Sequence, residues 1–159
     1  MNKQLILGKI IAQLEEEMEL YRRAAKAAFE EATSEQSKAE NKYDTRGLEA
    51  SYLARGQARQ VAETEEALLQ LRGLASAASL LPTAIGQGTL VEMEQGKESF
   101  WYFIAPCAGG TEIRHANEKI LVLTPQSPLG RELVGKKAGD AVTLTLAGKH
   151  QRQKVISVS

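Results

Sequence analysis

Several things are scarce in this 159-residue sequence, and each scarcity removes an option. Cys107 is the only cysteine, so no disulfide can close within the chain and no cysteine-built metal site exists. Acidic and basic residues are balanced at 20 each, which argues against a general nucleic-acid coat and against a polycationic membrane-surface protein. Any charged partner must be met by a local patch. No apolar run approaches the roughly 20 residues needed to span a bilayer. The opening Met1-Asn2-Lys3-Gln4 turns acidic by Glu15-Glu16-Glu17 and offers no small-residue cleavage site, so a secretory signal is not expected. A soluble protein of a reducing compartment, the cytoplasm, is the expectation.

Proline is missing from residues 1–79, which are rich in Ala, Glu, Gln, Leu and Arg, the strong helix formers. All 4 prolines and most glycines fall after that point. The stretch Leu81-Pro82-Thr83-Ala84-Ile85-Gly86 is the natural junction, so residues 1–79 and 80–159 are the two expected domains.

In the first domain the apolar positions step by three and four. Leu7, Ile11, Leu14, Met18, Tyr21, Ala25, Ala28 and Ala32 form one seam, and Ala50, Ala54, Gln57, Val61, Thr64, Leu68, Leu71 and Ala75 form another. Large residues lie at the outer ends of both seams and small ones towards the middle. Folding the helices back pairs large with large, and Ile11 opposite Ala75 and Ala32 opposite Ala54 give the same centre. An antiparallel coiled-coil hairpin turning near Tyr43–Asp44 is predicted. Asn41, Asp44 and Gly47 suit such a turn, and Asp44 or Thr45 suits the cap of the second helix.

The second domain reads as strands. Candidates are Thr89–Met93, Phe100–Ile104, Lys119–Thr124, Ala141–Leu146 and Gln153–Val158, the last two joined by a turn at Gly148. Phe100, Trp101, Tyr102 and Phe103 are read as buried and half-buried positions of one strand. Ser127 is a good N-cap, Pro128 suits the first helical position and Gly135 suits the stop. The expected fold class is α+β: a helical hairpin, then an antiparallel β domain with one short helix.

From Leu123 to Val142 the chain resembles the C-terminal signature of the bacterial GreA/GreB transcription elongation factors. The features are Ser127-Pro128, a short helix, Gly135-Lys136, then Gly139-Asp140 and a valine strand. Chain length and the preceding coiled coil agree with it. The resemblance implies an FKBP-like C-terminal domain that docks on RNA polymerase at the rim of the secondary channel, with Ser127, Pro128, Leu129, Gly130 and Arg131 as candidate docking residues. It implies a coiled coil that threads the channel, and tip carboxylates that help the polymerase hold Mg²⁺ and cut backtracked RNA. Such a chain is a monomer, not an enzyme in its own right, and has no cofactor beyond Mg²⁺ shared with the polymerase.

The tip departs from the family's spacing. It reads Asp44-Thr45-Arg46-Gly47-Leu48-Glu49-Ala50-Ser51-Tyr52. Aligned on Ala50 and Tyr52, Leu48 stands where glutamate is usual and Glu49 where asparagine is usual. Asp44, Glu49 and Glu40 are the candidate metal-assisting carboxylates; their bland reading is a solvated helical end. Lys38, Lys42, Arg46, Arg55 and Arg59, with Arg22 and Lys26, are candidates to contact the nascent RNA 3′ end or the channel wall. Interleaved acids make a mixed solvated surface the alternative. Tyr52 is expected to pack beneath the tip, and Tyr43 to cover the turn or stack on a base. Cys107 with His115 lacks zinc-ligand spacing. Three further readings stay open: a channel competitor that does not cleave, an FKBP-like peptidyl-prolyl isomerase, and a coiled-coil interaction module outside transcription.

Overall fold

The computed structural model describes residues 1–34, 45–77, 82–146 and 149–159. The expected turns at Tyr43–Asp44 and Gly148 lie outside them, as do Lys38, Glu40 and Lys42. Two long helices come first, α1 (Lys3–Thr33) and α2 (Arg46–Ala77). Asn2 starts α1, its Oδ1 accepting the backbone N–H of Gln4 at 3.0 Å. Neither described helix is long and apolar enough to cross a membrane.

Six strands and a short helix follow: β1 (Leu90–Gln95), β2 (Glu98–Ile104), β3 (Glu112–His115), β4 (Glu118–Leu123), α3 (Pro128–Leu133), β5 (Ala141–Leu146) and β6 (Lys149–Val158). They form one sheet in the order β3-β4-β2-β1-β6-β5. The fold class is as expected, with two corrections. The sheet is not wholly antiparallel, because β2 and β4 run parallel, with Phe103 opposite Val122. Strand β3 was not anticipated: among its four residues only Ile113 is apolar, too little for an alternating pattern.

By compactness the chain divides into Met1–Ile11 with Leu69–Ser159, and Ala12–Leu68. In the first unit both sheet faces bury apolar side chains, because residues alternate along each strand. One face carries Val91, Met93, Tyr102, Ile104 and Val155 in a cluster completed by Leu133 of α3. The alternate positions Leu90, Phe103, Ile120 and Val122 are buried on the other face. Ile6, Ile10 and Leu71, from the helical ends that share this unit, are also fully buried. Lys9 Nζ ties its helix to the β3 end, donating to the Arg114 carbonyl at 2.8 Å. Ala75, placed in the seam by its spacing, is instead exposed. Leu74 takes the inward position, its Cδ2 lying 3.7 Å from where a Cβ on Gly88 would stand.

The helix α3 is built as its residues predict. Ser127 is extended (φ −63°, ψ 153°) and its hydroxyl oxygen accepts the Gly130 N–H, while Pro128 enters the first turn. Gly135 adopts φ +85°, a region that favours glycine just past a helix. At Gly130 glycine is required for space. A Cβ there would lie 1.9 Å from the Thr124 carbonyl oxygen.

Candidate functional site

The second compact unit is a two-helix hairpin whose interior thins towards the turn. Leu14 and Leu68 are buried in its outer part, Ala28 and Ala50 nearer the tip. Thr64 is buried as well, and the remaining seam positions Met18, Tyr21, Ala25, Ala32, Ala54, Gln57 and Val61 are half-buried, as the heptad reading requires. A pair of alanines removes far less apolar area than a pair of leucines, at about 25 cal/mol per Å². Cross-hairpin ion pairs supplement it: Arg22 with Glu65 and Arg46 with Glu31, both at 2.6 Å. All four side chains are roughly half exposed or more, so each pair stabilises by about 0–1 kcal/mol.

At the tip, Glu49 is the one candidate carboxylate among the described residues. It sits in the first turn of α2, where a negative charge is favoured by the helix dipole. Its Oε1 accepts the Thr45 hydroxyl at 2.7 Å, and its N–H donates to the Thr45 carbonyl at 2.8 Å. Thr45 thus shapes the helix entry, as expected, although its hydroxyl serves Glu49. Asp44 and Glu40 lie outside the described residues. A single carboxylate is no Mg²⁺ site, because that ion takes six oxygen ligands and usually keeps several waters. Glu49 fits only as one oxygen donor added to a metal held by another molecule.

The candidate cations differ in their commitments. Arg46 is engaged by Glu31, and Arg59 Nε donates to Glu63 Oε1 at 2.7 Å, one turn along α2. The Glu63 hydrogen bond and charge raise the Arg59 pKa further above its usual range. Arg55 has no ion pair among the described residues. It lines a groove of ≈ 610 Å³ between the helices, whose other walls include Ala25, Phe29, Ala32, Ala54 and Ala58. Tyr52, expected to pack, is 67% exposed. It lies two residues from the buried Ala50, which turns it about 200° away from the seam at 100° per residue. Phe29, 62% exposed, went unnoticed in the sequence because it stands one position past the seam alanine Ala28.

The candidate docking residues Ser127 and Gly130 hold α3 in place, as described above. Leu129 is half-buried against the core cluster, and Arg131 is exposed in the last turn. The aromatic run behaves as read: Tyr102 and Phe103 are buried, Phe100 and Trp101 half-buried. Burial raises the Tyr102 phenol pKa, a hydrogen bond with Gln153 partly opposing it.

No family model matches the chain, and no curated protein matches its sequence. Solved structures do show likeness. The GreA factor homolog 1 (Gfh1) of Thermus thermophilus aligns with TM-score 0.39 and 20% identity over 94% of each chain. Thermus aquaticus Gfh1 gives 0.41 and 23%, over 95% of this chain and 92% of that one. A GreA/GreB elongation factor from Nitrosomonas europaea gives 0.39 and 19%, over 62% of this chain and 91% of its own. At these values no functional assignment rests on the likeness.

Proposed function

We propose that this chain regulates transcription by binding RNA polymerase at its secondary channel, with the hairpin tip directed towards the active centre. The observation that carries this reading is one chain joining a tapering, alanine-seamed hairpin to a module built on the Ser127–Asp140 motif. The taper is costly for stability and suits insertion into a narrow space. Each described helical arm of the hairpin unit, about 23 residues, spans roughly 35 Å at 1.5 Å per residue.

Assistance to RNA cleavage would come from Glu49, with Asp44 or Glu40 as its partner. A carboxylate delivered from outside can complete a metal site in the polymerase, where a second ion stabilises the attacking and leaving oxygens. A second reading is a channel competitor without cleavage activity. Two features favour it: Leu48 occupies the position at which a glutamate would complete the family's spacing, and one oxygen of Glu49 is already engaged by Thr45.

The deciding experiment uses stalled, backtracked elongation complexes with the wild-type chain, Asp44→Ala and Glu49→Ala. Release of a short 3′ RNA fragment that both substitutions abolish establishes metal assistance. Binding with no release establishes the competitor. Absence of binding at low salt refutes the proposal as a whole.

A further inference from the structure

The groove beside Phe29 has chemistry that the tip carboxylates do not explain. Towards the tip the charges of the hairpin unit are mixed, with Glu30, Glu31, Arg46 and Glu49, but further from it they fall into bands. Residues 12–20 and 62–68 hold seven glutamates and no cation, whereas 21–29 and 51–61 hold five cations and no acid. Three of those cations are satisfied from outside their band: Arg22 by Glu65, Arg23 by Glu19 and Arg59 by Glu63. The remaining two flank the groove. Lys26 reaches Glu30 only at 3.9 Å, and Arg55 has no ion pair among the described residues. Among the described residues no acid lines the groove.

Its floor is apolar. Alanine methyls from both helices leave a valley of ≈ 610 Å³, with Phe29 as one wall. Leu48 and Tyr52 lie outside this lining, on the stripe of α2 that they share with Arg55 at spacings of four and three. Phe29, the one large apolar side chain of the groove lining among the described residues, is 62% exposed, which a solvated hairpin end does not need.

We infer that this groove is a docking site for an acidic amphipathic helix of a partner protein. The partner's apolar stripe would lie along Phe29 and the alanine floor, its flanking carboxylates meeting Lys26 and Arg55. A third helix laid into the valley between two others is an established recognition mode. Carboxylates are the complement that the two cations call for. Single-stranded nucleic acid also stacks on aromatics and pairs with cations. The aliphatic share of the lining, the four alanines, gives bases little to stack on and gives an apolar helix its packing surface.

The identity of the partner rests on the proposed function: the helix then belongs to RNA polymerase, near the path of the hairpin. The test places the photo-crosslinking residue p-benzoylphenylalanine at position 29 of the full chain and irradiates its complex with core polymerase carrying RNA. Equilibrium affinities of wild type, Phe29→Ala and Arg55→Glu are measured alongside, with circular dichroism confirming helicity. The expected result is a crosslink to a polymerase helix bearing acidic residues, and affinity reduced roughly tenfold or more in each variant, as for truncation of an interface anchor. A crosslink to RNA, or helical variants that bind as tightly as wild type, overturns the docking site and leaves the channel reading standing. Failure of the wild type to bind polymerase overturns both.

Discussion

The two compact units solve the problem of stability in opposite ways. The sheet unit buries large side chains on both faces and excludes water from Phe103, Met93 and Leu133. The hairpin unit spends its sequence on alanines and exposed ion pairs, and turns Phe29 and Tyr52 outwards. The sheet unit is built for internal packing and the hairpin for its surface. Hydrogen exchange should follow that division, with amides of residues 22–34 and 46–58 opening at lower free energy than those of β1 and β2.

Substitutions can sharpen the contrast or erase it. The largest effect is expected at Gly130→Ala, where the new methyl meets the fixed Thr124 carbonyl. Denaturant unfolding followed by the single tryptophan, Trp101 in β2, should show a loss of about 3 kcal/mol, the upper range for overpacking. Ala28→Gly in the hairpin should cost about 1 kcal/mol through helix propensity. Its loss should appear in the helical circular dichroism signal, with the folded-state Trp101 emission unchanged. A shift of that emission would mean that the units are not distinct.

Smaller still is the Arg22–Glu65 pair. Glu65→Ala should change stability by less than about 1 kcal/mol, and the difference should shrink as salt screens the exposed charges. Tyr102 supplies the smallest and most specific signal. Its folded pKa is raised by burial, so its contribution is fully present below the unfolded value of about 10 and is lost as pH rises through the folded value. Wild type should therefore lose stability at alkaline pH more steeply than Tyr102→Phe, as measured by denaturant midpoints from pH 8 to pH 11.

How much of this was legible in the sequence varies with the physics of each element. The heptad seams were legible because a two-helix interface repeats one spacing for many turns; only Ala75 broke from it, where α2 enters the sheet unit. The cap and stop of α3 were legible because Ser127, Pro128 and Gly135 each answer a local backbone requirement. β3 was not, since a four-residue strand with one inward residue, Ile113, carries almost no periodicity. Nor was the parallel β2–β4 pairing, which depends on strand order and not on composition. At the site, Thr45 was legible as a candidate start of α2, whereas the place of Glu49 in the first turn comes from the structure. The groove beside Phe29 was not legible, because alanines in a seam announce close packing equally well. Which cations were already paired depends on where long side chains meet across the hairpin, and spacing along one helix does not reveal that.

Under the proposed function the hairpin tip is delivered to the active centre of RNA polymerase. The most direct measurement replaces Cys107 with serine, introduces Glu49→Cys, tethers an iron chelate to that thiol and triggers hydroxyl-radical cleavage in the polymerase complex. Cuts are expected in the polymerase segments surrounding its catalytic metal. Cuts confined to the outer surface of the polymerase, or none while the labelled chain remains bound, would contradict that delivery.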